Sequence, residues 1–224
     1  MGFGPSSDGG TGAAPAPGPG PGLSVLARAV GFGLDGLWDK SAPSASLALA
    51  LEEAAGPDFS CPGASHDEKA GIVRQWAALE SYAAAGRLGA LRALAADEEG
   101  PAPGGFSKAL AREVALALSV SAPTAESMLS LAQDLRDRLP GIGRLLADGT
   151  LTCPKARAVN DALALLSPED AAKAEALILD QLAGKNFGQV QKLAEQAAVT
   201  VDPDAAARRR EDAGKDKARV ELFR

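Results

Sequence analysis

The fold is decided by a stretch that runs from Leu110 to Leu166. Its first part reads Leu110-Ala-Arg-Glu-Val-Ala-Leu-Ala-Leu118, Ser119-Val-Ser-Ala-Pro123, Thr124-Ala-Glu-Ser-Met-Leu-Ser-Leu-Ala-Gln-Asp-Leu135. Apolar residues recur at helical spacing on both sides of a break rich in turn-forming and helix-starting residues. A small residue at Ala115, a hydrophobe in the break at Val120 and a Ser/Thr start of the second segment are typical of a helix-turn-helix. The pattern predicts two helices, over 106–118 and 124–139.

The composition predicts an all-α chain. Of 224 residues, 46% are hydrophobic and only 4% are aromatic. Alanine and leucine, which favour helices, supply most of the apolar residues, whereas the β-branched and aromatic residues that favour strands are scarce. We therefore expect a multi-helix bundle that contains the helix-turn-helix-like hairpin.

Charge and cysteine content exclude several classes of protein. The formal net charge of −6 argues against nucleic-acid binding that is driven by overall charge, although a local basic patch would suffice. The two cysteines, Cys61 and Cys153, are isolated from each other and form neither a disulfide framework nor a zinc motif. No apolar run reaches the roughly 20 residues that span a bilayer, and the N-terminus lacks the features of a signal peptide. We expect a soluble, cytoplasmic protein that does not contact a membrane.

The chain divides into three parts by composition. Residues 1–65 read as a mostly disordered or weakly structured arm, because Gly, Pro, Ser and Ala dominate 1–22 and cannot bury enough apolar surface to offset the entropy of ordering. Within this arm a helix over 44–54 is plausible. Residues 66–214 are expected to form the helical domain, and residues 215–224 are read as the start of a truncated C-terminal segment.

Helix signals follow one another through the helical domain. A long helix is expected from about His66 to Ala95, with an apolar stripe at Ile72, Trp76, Leu79 and Ala83 and a bend or break near Gly86 and Gly89. Further helices are expected over 142–147, from Thr152 to Leu166, from Ser167 to Leu182, from Asn186 to Val199, and from Asp202 to about Gly214. Their starts carry the expected capping residues, among them Thr152, Ser167, and Asn186 with Gln189 as a capping box.

Several short motifs in this order resemble a known family. They are Arg112-Glu-Val, Leu139-Pro140, Leu151-Thr152 with Lys155-Ala-Arg157-Ala-Val159, Asp202-Pro-Asp-Ala, and Arg208-Arg-Arg-Glu211. The succession is similar to the actinobacterial domain-of-unknown-function family 222, also called the 13E12-repeat family, over roughly residues 67–224. The resemblance implies a mostly helical region that typically precedes an HNH endonuclease domain, in which histidines and an asparagine hold a divalent metal.

The chain lacks what that nuclease chemistry needs. Metal-assisted hydrolysis of a phosphodiester requires clustered ligands and a general base, but the only histidine is His66, and neither cysteine lies near the C-terminus. We therefore assign no catalytic, metal or cofactor-binding residue to this chain. A divalent metal is expected only in an HNH domain beyond Arg224.

The candidate contact residues for DNA or a partner lie in three places. Ser121, Thr124 and Ser127 begin the second helix of the hairpin, whose N-terminal residues would enter the major groove in a DNA-binding helix-turn-helix. Lys155 and Arg157 lie in the first turns of a later helix and are suited to phosphate or carboxylate groups. Arg208 and Arg209 belong to the densest basic run, which nearby acidic residues almost neutralise. Each set also has an alternative interpretation, respectively a simple helical hairpin, a solvated face and a self-paired helix.

Two functions follow from these observations as hypotheses. The first is a non-catalytic helical module of an HNH-endonuclease-type protein that positions DNA or a partner. The alternative is a bundle for protein–protein interaction or oligomerisation, favoured by the acidic balance, or an inactive truncated remnant. The expected partners are accordingly DNA, another protein or a second copy of the chain.

Overall fold

The computed structural model describes residues 31–98 and 106–203. These two ranges form a bundle of eight α-helices and contain no strand, which confirms the predicted all-α class. The helices are α1 (Ala45–Ala55), α2 (His66–Ala96), α3 (Lys108–Leu118), α4 (Ala122–Asp137), α5 (Pro140–Ala147), α6 (Cys153–Leu163), α7 (Pro168–Ile178) and α8 (Phe187–Val201), with short 3-10 helices at Trp38–Lys40 and Leu179–Gln181.

The predicted helix-turn-helix-like hairpin is confirmed in α3 and α4. The two helices meet at an angle of 107°, within the range of about 90–120° that helix-turn-helix pairs adopt. Ser119 ends α3 in the left-handed region with φ of 53°, and the Val120 N–H donates to the Ala115 carbonyl at 3.0 Å. Ser121 then caps α4. Residues 119–121 therefore form a short turn that redirects the chain, and the N–H groups of Ser119 and Val120 donate hydrogen bonds to carbonyl groups of α3.

The larger hydrophobic core joins the second half of α2 to α3–α8. Its most deeply buried large side chains include Leu139, Ile142, Leu146, Leu151 and Leu163, each with no exposed surface. α8 packs against α6 and α7, whereas α2 packs against α4 and α5. The apolar residues of α4 and α6 recur at the predicted helical spacing. This spacing places them on the side of each helix that faces the core.

A smaller core involves residues that the sequence assigned to the N-terminal arm. Phe32, Leu47 and Leu51 are almost fully buried and pack with Ile72 at the start of α2. The predicted helix over 44–54 is present as α1, and its N-cap Ser44 accepts a hydrogen bond from the Leu47 backbone. Residues 31–65 thus contribute buried side chains, while the boundary at residue 65 stays a prediction.

Helix α2 is continuous and differs in this from the sequence prediction. Gly86 and Gly89 lie within it without a break, because flanking helix-forming residues and packing against the larger core outweigh the cost of a glycine of about 1 kcal/mol. The predicted apolar stripe is wrong at Ala83, which is exposed. Ala84 is buried instead, because over 31 residues the inward stripe drifts around the helix axis.

Two glycines allow the N-terminal segment to cross α2 at backbone contact distance. A Cβ added at Gly71 would lie 2.3 Å from the backbone nitrogen of Gly33, and one added at Gly33 would lie 2.4 Å from the Asp67 carbonyl oxygen. Gly33 also has φ of +80°, a conformation that favours glycine. The crossing brings Phe32 into the smaller core, where its ring stacks on Trp38.

The predicted caps are largely confirmed. Asn186 and Gln189 form a capping box at α8, and Ser167 caps α7 by accepting from the Asp170 N–H. Thr152 occupies the predicted N-cap position of α6, but its side chain accepts no capping hydrogen bond. The helix that was expected to reach Leu182 gives way to a 3-10 turn after residue 178.

The helix expected from Asp202 to Gly214 and the segment 215–224 lie outside the described residues, apart from 202 and 203.

Among the helices of the described ranges, none alone is both long and apolar enough to cross a membrane. Only the bent pair α3 and α4 meets the length and composition requirement when its two helices are joined.

Candidate functional site

The N-terminus of α4 presents two hydroxyl groups that are tied to each other. The Ser121 Oγ accepts a hydrogen bond from the Thr124 backbone N–H at 3.3 Å and lies 2.7 Å from the Thr124 Oγ1. Both side chains are exposed. This is the geometry of an N-cap, which satisfies a backbone donor that has no partner inside the helix. The two predicted contact residues therefore also hold the first turn of α4 in place.

Helix α6 meets α4 at a third predicted residue. The Arg157 guanidinium donates through Nη1 to the Ser127 Oγ, although the two residues are 30 positions apart in the chain. Ser127 is exposed and Arg157 is half-buried. The structure thus brings Arg157 of one predicted contact set against Ser127 of another, and we call the surface around the start of α4 and the start of α6 the α4–α6 surface.

Lys155 lies on the same helix, two residues before Arg157, and is also half-buried. Within the two described ranges, neither Lys155 nor Arg157 forms an ion pair with a carboxylate. Both cations are therefore outside any ion pair among the described residues. Arg208 and Arg209, the remaining predicted contact residues, lie outside the described residues.

A groove between α6 and α8 adjoins this surface. It has a volume of about 500 Å³ and includes Arg157 in its wall, with Asp161, Phe187 and Glu195. The Phe187 ring is 49% exposed. The Glu195 carboxylate accepts from the Gln191 amide at 3.0 Å. Because two carboxylates share the wall with one guanidinium, the groove is suited to a partner of mixed charge rather than to a bare phosphate.

A polar network that the sequence analysis missed holds α4 against α6. The Arg138 guanidinium donates through Nη2 to the carbonyls of Leu163 and Leu166, at 2.9 and 3.2 Å. Its Nη1 donates to the Asp134 carboxylate, which also accepts from the Asn160 amide at 3.1 Å. The spacing of Asp134 and Arg138, four residues apart, was the only signal in the sequence. The network satisfies carbonyls at the end of α6 that lack helical partners.

A second contact that the sequence analysis missed joins α7 to the start of α5. Helix α5 begins after Leu139, which has no side-chain acceptor, and the Glu175 carboxylate takes that role by accepting from the Ile142 N–H at 2.7 Å. Glu175 is only 7% exposed. Burial raises the pKa of the Glu175 carboxyl above its ordinary value, while the backbone N–H groups of Ile142 and Gly141 and the nearby Arg144 act in the opposite direction.

In residues 31–98 and 106–203, no group of three or more His, Cys, Asp or Glu side chains is arranged to bind a metal ion. His66 is exposed in the first turn of α2, where Ser65 and Glu68 form the capping box. Cys61 and Cys153 are both free thiols.

A comparison with known protein families identifies the family of this chain. A family model described as "Domain of unknown function (DUF222)" matches residues 70–220, which is more than half of the chain. No curated protein and no solved structure gives a significant match. The match begins in the second turn of the long helix α2 and includes the rest of that helix, the hairpin and the α4–α6 surface. The chain belongs to the DUF222 family.

Proposed function

We propose that this chain is a non-catalytic helical module that positions DNA, with α4 as the helix presented to the duplex. The observation that supports it most directly is the hydrogen bond between Arg157 and Ser127. It places a basic side chain of α6 beside the N-terminal part of the second helix of a 107° hairpin. In DNA-binding helix-turn-helix proteins that part of the helix faces the base edges.

Each group on the α4–α6 surface has a suitable role in this proposal. Thr124 and Ser127 carry exposed hydroxyl groups that can donate to or accept from base edges. Lys155 and Arg157 supply charge for phosphate oxygens, and the guanidinium can do so with two parallel hydrogen bonds. Phosphate contacts position a protein on the duplex, whereas base contacts specify the sequence.

The acidic residues around this surface set the expected strength of binding. Glu126 is exposed on α4, and Asp161 is exposed on α6, so both would repel phosphates. Arg157 is the cation that a described contact places beside α4, and Lys155 is two residues earlier on α6, so the affinity should be modest and should fall with salt according to a small number of released counterions. The family resemblance supports a setting in which an HNH endonuclease domain supplies the catalytic metal and this module holds the duplex.

The test is fluorescence anisotropy of a labelled duplex titrated with the full chain across a salt series. We expect binding that weakens with salt, and a further loss of about tenfold or more in the double variant Lys155→Ala with Arg157→Ala. The control, Lys40→Ala with Lys69→Ala, removes the same charge from two exposed positions near the smaller core. Absence of binding at low salt, or equal losses in both double variants, would overturn the proposal.

A second candidate function is a bundle that binds a protein partner or a second copy of the chain. The observation that favours it is the groove between α6 and α8, where the half-exposed Phe187 ring lies among side chains of both charges. Aromatic residues with a polar rim are typical of protein interfaces. Sedimentation that depends on protein concentration in the wild type, and no longer does so in Phe187→Ser, would support self-association, and a constant monomer would exclude it.

A further inference from the structure

We propose that the groove between α2, α4 and α5 binds an acidic amphipathic segment of a protein partner. This inference is independent of DNA positioning. The groove, which we call the arginine groove, has a volume of about 380 Å³ and is distinct from both the α4–α6 surface and the groove between α6 and α8. Three guanidinium groups line it, those of Arg92, Arg136 and Arg144.

The charge of this groove is of one sign. No carboxylate is among the described residues that line it. Arg136 pairs with Asp137 at 3.3 Å, but both side chains are about 60% exposed, so that pair is weak. Arg92 forms no ion pair with a described residue. In a chain with a net charge of −6, three arginines and no carboxylate in the lining of one cavity are a local excess of positive charge that favours carboxylates of a partner.

The remaining lining is apolar. Leu88 and Leu135 contribute to it together with small residues. A concave apolar wall with a basic rim is suited to a helix that inserts apolar side chains and places carboxylates at its flanks. The phosphate backbone of a duplex would leave the apolar wall uncovered. The combination of shape and charge therefore favours an acidic peptide over nucleic acid.

Gly89 keeps this groove open and provides a clean way to close it. A Cβ added at Gly89 would meet nothing within 4 Å, and the same holds for Gly86 one turn earlier. Gly89 lines the groove, whereas Gly86 does not. Leucine at either position replaces a glycine inside a helix with a stronger helix former. Gly89→Leu should therefore fill the groove without disturbing the fold, and Gly86→Leu is its matched control.

The experiment uses the full chain and a fluorescein-labelled helical peptide with leucines at positions i, i+3, i+4 and i+7 and glutamates on the flanking positions. We expect the peptide to bind the wild type and Gly86→Leu alike. Gly89→Leu, and Arg92→Gln with Arg144→Gln, should each lose about tenfold or more in affinity. A second peptide with every glutamate replaced by glutamine should also bind more weakly.

Three results would overturn this proposal. The first is that the wild type does not bind the peptide at micromolar concentrations. The second is that Gly89→Leu and Gly86→Leu bind the peptide with equal affinity. The third is that the protein binds a labelled duplex and that only Gly89→Leu loses this binding. The last result would assign the groove to nucleic acid. Circular dichroism and a denaturation midpoint at least as high as that of the wild type would show that Gly89→Leu is folded.

Discussion

The Glu175 carboxylate on α7 accepts a hydrogen bond from the Ile142 backbone N–H at 2.7 Å and thereby caps a helix 33 residues earlier in the chain. Helix α5 starts with no capping side chain of its own, so the Ile142 N–H, which has no partner inside the helix, depends on this carboxylate. An anionic acceptor at a helix N-terminus is favourable, but burial opposes its charge. The balance of these two effects gives the first prediction.

The stability should depend on pH through Glu175. Because its folded pKa is raised above the ordinary value of 4.5, the folded state binds a proton more tightly than the unfolded state between 4.5 and the folded pKa. The free energy of unfolding contributed by this group is therefore greatest below 4.5, falls as pH rises through that window and is constant above it. Urea denaturation at several pH values should show that the free energy of unfolding of the wild type, relative to that of Glu175→Gln, falls as the pH rises through this window. An increase of this relative stability with rising pH would contradict a raised pKa of Glu175.

Two substitutions at Glu175 separate the effect of its charge from the effect of its hydrogen bond. Glu175→Ala leaves the buried Ile142 N–H without an acceptor and should cost about 1–3 kcal/mol of stability. Glu175→Gln keeps an amide oxygen in the same place and should lose less at neutral pH. The measurement is urea denaturation followed by circular dichroism. Equal losses in the two variants would mean that the carbonyl acceptor contributes nothing.

Two glycines of α2 should respond in opposite directions to alanine. Gly71→Ala places a methyl group 2.3 Å from the Gly33 nitrogen, so the backbones must separate, at a cost of about 1–3 kcal/mol. Gly86→Ala meets nothing within 4 Å and should gain about 0.5–1 kcal/mol from helix propensity. Denaturation midpoints of the two variants provide the comparison. A stabilising effect of Gly71→Ala would show that the crossing does not form.

The Arg138 network should matter more than an exposed arginine nearby. Arg138→Ala removes a guanidinium that serves the Leu163 and Leu166 carbonyls, with an expected loss of about 2–3 kcal/mol. Arg136→Ala removes a guanidinium that is 59% exposed and should change stability by less than about 0.5 kcal/mol. Thermal and urea denaturation measure both. A loss in Arg138→Ala as small as in the control would rule out a structural role for these bonds.

Two N-cap positions offer a matched comparison. Asn186 accepts the Gln189 N–H at 3.0 Å, so Asn186→Ala should cost about 1 kcal/mol. Thr152 occupies the same position in α6 without a side-chain capping bond, and Thr152→Ala should be nearly neutral. If the two substitutions cost the same in urea denaturation, the capping geometry does not determine the stability of these helices.

Local patterns were sufficient to predict most of the helices. The hairpin, the capping box at Asn186 and the inward face of α6 depend on residues within a few positions of each other, and these signals are readable in a sequence. The proximity of Arg157 to Ser127, in contrast, depends on how α6 packs on α4. The motifs therefore identified two of the candidate contact sets but not that they share one surface.

The contacts that were missed are all long-range. The start of α5 at Leu139-Pro140 shows that a capping acceptor is lacking, but nothing local identifies Glu175 as its source. Similarly, Gly33 and Gly71 need glycine only because their backbones touch. The smaller core was underestimated because glycine-rich sequence around Phe32 is typical of loops, and its burial follows from tertiary packing alone.

The membership of α2 in both hydrophobic cores has a consequence for the order in which the protein unfolds. The smaller core holds only the first half of this helix, so that half can unwind while the second half stays packed against α4 and α5. The larger core contains many more buried side chains than the smaller core, so we expect the smaller core and the first half of α2 to open first. Both tryptophans of the chain, Trp38 and Trp76, pack at the smaller core. Tryptophan fluorescence therefore reports the opening of the smaller core. It can be compared with the loss of helix in the larger core, which circular dichroism measures.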